Sequence, residues 1–242
     1  MKLIAIIPAR LGSTRLPNKP LLKIYGKTMI RLTVEKVLES GVFPKIVVAT
    51  DSALIQEECG NIEGVETILT SPKHTCGTER VLEAYQIVSA KEGNFDVVVN
   101  IQGDEPFLQP ESLKELHQKL LEKQKVAEFW TTVSDLPQEE QEDENVAKVV
   151  VDLKGNALLF SRKPMDAAYK HTSIYAYTPQ FLNQFCSLPP SPLEKTYRLE
   201  QLRALENGYP LNCIYLPYDS ISINTLEDLE KAEITDFEIF HP

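Results

Sequence analysis

Leu3-Ile4-Ala5-Ile6-Ile7 is an unbroken apolar run that stops at Pro8, and Pro8-Ala9-Arg10-Leu11-Gly12-Ser13-Thr14-Arg15-Leu16-Pro17-Asn18-Lys19-Pro20 follows it directly. Five residues are too few for the apolar core of a signal peptide, which needs at least ~7, or for a membrane span of about 20. A short aliphatic run without polar alternation reads instead as a strand buried on both faces, the environment of a parallel sheet. The pattern recurs at residues 45–49, 66–69 and 96–101, and helical periodicity fills the gaps at 29–40, 52–59 and 78–91. Alternating strands and helices predict an α/β fold, a doubly wound and mainly parallel sheet that binds ligands beyond the carboxyl ends of its strands. The loops after the first, third and fourth strands, residues 8–19, 70–78 and 102–106, are therefore expected to converge on one cleft.

Further along, 111–125 reads as a helix, 128–134, 147–152, 157–161 and 172–177 as strands, and 226–237 as a closing helix. This second half predicts a smaller α+β layer. With no repeat and no low-complexity linker, one domain over 1–242 is expected, with halves at 1–125 and 126–242. Residues 134–145 hold six acids and no base around Pro137 and read as a solvated loop.

The charge is unevenly placed. Twenty-five basic against 35 acidic residues give a net charge of -10, which argues against non-specific binding to nucleic acid or to an anionic membrane. Residues 1–34 nevertheless carry seven bases (Lys2, Arg10, Arg15, Lys19, Lys23, Lys27 and Arg31) and no acid, leaving -17 on the rest. A basic front on an acidic body points to a phosphate or carboxylate ligand. Cys59, Cys76, Cys186 and Cys213 show no C-x-x-C spacing, so neither a zinc site nor a disulfide framework is expected, and the chain reads as cytoplasmic.

Three cations, two hydroxyls and Gly12 after a buried strand are the parts of a polyphosphate cradle. Glycine allows close backbone approach, Ser13 and Thr14 offer donors, and Arg10, Arg15 and Lys19 neutralise phosphate charge. The loop is neither a G-x-x-x-x-G-K-[ST] nor a G-x-G-x-x-G motif. Thr70–Arg80 combines hydroxyls, Gly77 and the helix opening Thr78-Glu79-Arg80. It could read the edge of a pyrimidine, or be a plain helix start capped by Thr78. Asn100-Ile101-Gln102-Gly103-Asp104-Glu105-Pro106 ends a strand in an acidic pair, suited to a hard divalent cation such as Mg²⁺ or to a solvated turn.

Taken together, these runs carry a family resemblance. IIPARLGSTRLPNKPL at 6–21 resembles the signature loop of the sugar nucleotidyltransferases. In detail it is similar to the cytidylyltransferases that activate 3-deoxy-2-ulosonic acids, above all the 3-deoxy-manno-octulosonate (Kdo) variant. VVATD at 47–51, TSPKHTCGTER at 70–80, VNIQGDEP at 99–106, VAKVVVD at 146–152, LLFSR at 158–162, KH..IYAY at 170–177 and LEQLRALENG at 199–208 extend the match over essentially the whole chain.

The resemblance implies CTP-dependent activation of an ulosonic acid, Kdo first, to a CMP-sugar and pyrophosphate for lipopolysaccharide synthesis, by a Mg²⁺-dependent homodimer. It implies nucleotide contacts at Pro8, Ala9, Arg10, Ser13, Lys19, Thr70, Ser71, Cys76, Gly77, Thr78 and Gln102. For the sugar it implies Arg15, Arg80, Gln102, Arg162, His171, Tyr175, Glu200 and Gln201. Arg10, Arg15, Lys19 and Asp104 are the implied catalytic set, and the metal falls to Asp104 with Asn224. His74, His117 and His241 receive no role.

Three departures qualify this. Asn224 stands where the family supplies a second metal carboxylate, Ser173 stands where glycine is common, and the segment between Arg162 and His171 is short. They leave open an amino-substituted octulosonate, a sialic-type sugar, or nucleotide binding without catalysis. A glycosyltransferase would normally show D-x-D, which does not occur.

Overall fold

The structure, a computed structural model, describes residues 1–12, 16–123, 127–218 and 222–240. The chain divides into two compact units, Met1–Lys114 with Ser220–Pro242, and Glu115–Asp219.

In the first unit, strand β1 (Leu3–Ala9) is buried along its whole length. The small strands β2 (Lys23–Ile24) and β3 (Lys27–Thr28) follow it. Thr28 caps helix α1 (Met29–Ser40) by accepting from the Arg31 N–H, and Gly41 in the left-handed conformation (φ 67) ends it. Then come β4 (Lys45–Thr50), α2 (Ala53–Gly60), β5 (Val65–Leu69), α3 (Gly77–Glu92) and β6 (Val97–Asn100), and helix α4 (Pro110–Lys123) begins in the first unit and ends in the second. β1 pairs in parallel with β4 on one side and β6 on the other, and β5 extends the sheet beyond β4. The order β6-β1-β4-β5 reverses direction at β1. The crevice past the carboxyl ends of β1 and β6 is thus a topological switch point, where doubly wound sheets bind ligands.

The second unit contains β7 (Phe129–Ser134), β8 (Lys148–Val151), β9 (Ala157–Ser161), β10 (Tyr169–Tyr177), α5 (Pro179–Ser187), α6 (Pro192–Tyr197), α7 (Leu202–Glu206) and β11 (Asn212–Tyr215). β7 lies between antiparallel β10 and parallel β11, while β8 pairs antiparallel with β10 and β9. Stacked rings of Phe129, Tyr177 and Phe181 fill its core. The β7/β10 register shifts between His171 and Tyr175, and Ser173 within that bulge is left-handed (φ 57).

Three expectations differ from what is found. Residues beyond 220 belong to the first unit rather than the second, because Ile223, Leu229 and Ile234 share a buried cluster with Leu16, Leu22, Ile24 and Met29. The closing helix is shorter: α8 (Leu226–Lys231) is followed by left-handed Glu233 (φ 56) and an Ile234 N–H to Leu229 carbonyl bond, after which β12 (Phe237–Glu238) pairs with β2. That is a Schellman stop made without glycine, so the sequence gives no stop signal. The acidic stretch 134–145 is not a plain solvated loop. It holds a 3₁₀ turn at Gln138–Glu140, and buried Lys148 and Lys170 bind it through the Asp143 carbonyl (2.5 Å) and the Glu140 carboxylate (2.8 Å). Among the described residues, no helix is long and apolar enough to cross a membrane.

Candidate active site

The crevice past β1 and β6 is a cleft of about 330 Å³, and all three predicted loops wall it. Pro8, Ala9, Arg10, Gly12 and Lys19 come from the segment after β1. His74, Cys76, Gly77 and Arg80 come from the region between β5 and the first turn of α3, and Gln102, Gly103 and Asp104 follow β6. Ser13 and Arg15 lie outside the described residues. Two glycines permit the convergence on Pro8. A Cβ on Gly103 would lie 3.0 Å from the Pro8 carbonyl oxygen, and one on Gly77 would lie 3.4 Å from Pro8 Cγ.

Left-handed Asn18 (φ 53) turns the chain into the short 3₁₀ segment Lys19–Leu21, whose Pro20 and Leu21 are buried and anchor Lys19. Lys19 Nζ donates to Asp104 Oδ2 at 2.5 Å and to Asn224 Oδ1 at 3.1 Å. The acidic pair after β6 divides its work. Asp104 faces the cleft, while Glu105 is buried and hydrogen-bonds Ser222, tying down the segment that delivers Asn224. The Ile223 N–H donates to the Asp104 carbonyl, and Asp228 accepts from the amides of Asn224 and Thr225 at 2.7 and 2.8 Å. One carboxylate oxygen and one amide oxygen therefore converge on the Lys19 ammonium. Such hard oxygen donors fit Mg²⁺. Among the described residues, no group of three or more His, Cys, Asp or Glu gathers to hold a metal.

On the α3 side, Arg80 is 2% exposed and joins three elements, with Nη1 donating to Thr70 Oγ1 (2.5 Å) and Nη2 to Asp51 Oδ2 (2.7 Å). Thr70 also donates to the Thr50 carbonyl. The N-cap of α3 is Cys76, not Thr78, and its side chain makes no capping bond. The helix thus brings its amide end and positive dipole to the cleft, where Cys76 and Gly77 line the wall. His74, which the sequence reading passed over, is also in that wall.

The second-half candidates gather in the second unit. Tyr175 Oη donates to Gln201 Oε1 at 3.1 Å, and the His171 ring lies 5.3 Å from that of Tyr175. The Thr131 hydroxyl donates its one proton to the Ile174 carbonyl. At 2.8 Å from His171 Nε2 it must therefore accept from the ring, which assigns the Nε2–H tautomer and leaves Nδ1 an acceptor. Burial, reinforced by the Arg162 charge, pushes the imidazole down to about 3. Burial and neighbouring Glu200 push the Tyr175 hydroxyl up, with Arg162 opposing. Gln201 is 2% exposed, and its Nε2 meets no partner among the described residues. Arg162 Nη1 donates to the carbonyls of Glu144 (3.2 Å) and Asn145 (2.8 Å), and fully buried Lys148 donates to the Arg162 carbonyl (3.1 Å). Sequence reasoning missed Lys148; its setting within the aliphatic run Ala147–Val151 was the available signal, since a lysine there must be buried with partners.

The model of one family, cytidylyltransferase, matches residues 4–221. The chain belongs to the cytidylyltransferase family. This cytidylyltransferase is 40% identical over 247 residues to the 3-deoxy-manno-octulosonate cytidylyltransferase of Pelodictyon phaeoclathratiforme, covering 96% of each chain. It is 41% identical over 242 residues to the protein of the same name from Koribacter versatilis, covering 96% of this chain and 89% of that one. A solved structure of CMP:2-keto-3-deoxy-manno-octonic acid synthetase complexed with CTP superposes with a TM-score of 0.86 at 33% identity, over 96% of this chain and 97% of that one. The expected fold, a mainly parallel sheet flanked by helices, is that of these cytidylyltransferases.

Proposed function

We propose that this cytidylyltransferase transfers CMP from CTP to the 3-deoxy-2-ulosonic acid Kdo, releasing pyrophosphate and supplying activated sugar for lipopolysaccharide synthesis. The observation that carries the reading is the cleft at the switch point, where Lys19 pairs with Asp104 and Arg10 lines the same wall beside the amide end of α3. The names and coverage of the relatives support it.

The triphosphate is neutralised by Arg10 and Lys19, with Arg15 as a third cation, and the base rests against the loop ending in Cys76, Gly77 and Thr78. Gln102, which lines the cleft, is assigned to both nucleotide and sugar in this reading. Asp104 and Asn224 would hold Mg²⁺, which supplies Lewis-acid activation and neutralises phosphate charge when bound. The sugar carboxylate falls to Arg162, and its hydroxyls to His171 Nδ1, Tyr175, Glu200 and Gln201, whose unpartnered Nε2 is a donor awaiting an acceptor. Arg80 lines the same cleft with its guanidinium held by Thr70 and Asp51. The anomeric hydroxyl attacks the α-phosphorus, the bond from that phosphorus to the β-bridging oxygen breaks, and the hydroxyl proton passes to solvent. Charge stabilisation by fixed cations is what the chain's own residues contribute. The reading extends to a cytoplasmic homodimer, which sedimentation velocity tests. Mass spectrometry of a reaction holding CTP, Kdo and a divalent cation should find CMP-Kdo. Its absence with active controls would refute the reading.

A further inference from the structure

The loop that ends at the helix N-terminus beside the cleft is held from behind by two carboxylates of the helix itself. Glu79 and Glu83 are four apart on α3 and so share one face. Glu83 Oε2 accepts from the Ser71 N–H at 2.8 Å and hydrogen-bonds His74 Nε2. Glu79 Oε2 accepts from the Thr75 N–H at 2.8 Å and from the Thr75 hydroxyl at 3.2 Å, and it lies 3.8 Å from His74 Nδ1. Ser71 Oγ closes the turn by accepting from the Lys73 N–H. Residues 71–75 are thus fixed at three points to a rigid helix, and His74 is set into the cleft wall with both ring nitrogens turned to carboxylates.

We propose that Glu83, with Glu79 one turn before it, is a positioning residue of the nucleotide site: it touches no substrate and sets the affinity for CTP by holding the His74 loop in its bound shape. The proposal rests on the reading of this cleft as the CTP site. A loop held in place before binding does not have to be ordered by the ligand, so the bonds act on nucleotide affinity. They are charge-assisted, the stronger class of hydrogen bond. Glu83 keeps its charge, since burial works against it but the Ser71 amide and His74 hold its carboxyl below the usual range.

The test is calorimetric CTP binding and steady-state kinetics on the full chain for wild type, Glu83→Ala, Glu83→Gln, His74→Gln and the Glu83→Ala/His74→Gln double variant. Glu83→Ala is expected to raise the CTP Kd and KM about tenfold, the scale of one charge-assisted bond, with kcat and the sugar KM within about twofold. Glu83→Gln keeps an acceptor for Ser71 and should fall between. The double variant should be little worse than Glu83→Ala alone, as expected of coupled residues. A CTP Kd unchanged in Glu83→Ala beside a wild type that binds CTP overturns the proposal alone, as does a parallel loss of kcat and sugar affinity. A wild type that binds no CTP overturns the nucleotide reading and the proposal with it.

Discussion

Lys19 and Asp104 are 85 positions apart in sequence, yet Lys19 Nζ lies 2.5 Å from Asp104 Oδ2, with Asn224 Oδ1 3.1 Å away on the same ammonium. The pair joins the end of the β1 loop to the end of β6, the two loops that flank the switch point. Replacing Lys19 by Ala removes the cation and leaves Asp104, 24% exposed at its side chain, without it. The expected cost is about 2 to 4 kcal/mol of transition-state stabilisation, roughly 30- to 10³-fold in kcat, by analogy with losing one oxyanion donor. Pre-steady-state turnover at saturating CTP checks this; unchanged turnover would remove Lys19 from the catalytic set.

Asn224 contributes an oxygen but no charge to the cation point. Asn224→Asp should therefore tighten binding of a divalent ion, on the order of tenfold, about 1.4 kcal/mol for one added opposite charge in a partly buried site. Free Mn²⁺ measured by electron paramagnetic resonance, with and without CTP, reads this independently of turnover. Equal affinity in both proteins would mean that Asn224 is not a ligand.

Ser173 is left-handed (φ 57) in the β10 bulge, a conformation that disfavours any side chain. Ser173→Gly should stabilise the protein by about 1 kcal/mol, seen as a higher urea midpoint at unchanged slope. A lower midpoint would show that the serine side chain compensates for its backbone.

His171 makes stability depend on pH. Burial, then the Arg162 charge, push its imidazole down to about 3 from the usual 6.5, so the folded protein binds fewer protons than the unfolded chain between those values. Stability from this residue is complete above about 6.5 and falls as the pH drops, by up to roughly 1.4 kcal/mol per pH unit within that window. Urea unfolding at pH 7.5 and 5.5 should show wild type losing more stability on acidification than His171→Gln. Equal losses would mean that the ring is not held neutral.

The parallel half of the fold was legible because most of its strands are aliphatic runs without polar alternation, as in β1, β4 and β6. The span 29–40 matches α1 at both ends, with Thr28 and Gly41 as its caps. Ends set by tertiary contacts were not legible. Glu233 stops α8 without a glycine, and β12 is a two-residue strand held by its pairing with β2. The loops of the cleft could be read from their chemistry, but the support behind them could not. Arg80 looks like a free cleft cation in sequence but lines the wall with its guanidinium tied to Thr70 and Asp51, and His74, which looked idle, lines the wall as well. Both depend on which face of α3 meets which strand, a fact absent from local spacing.

CTP-dependent activation of an ulosonic acid is tested by pyrophosphate release from CTP and Mg²⁺ with Kdo, its 8-amino analogue and a sialic acid offered separately. Release with Kdo, well above that with the other two, is the predicted result. Release only with another sugar would contradict the substrate, and no release from a protein that binds CTP tightly would contradict catalysis itself.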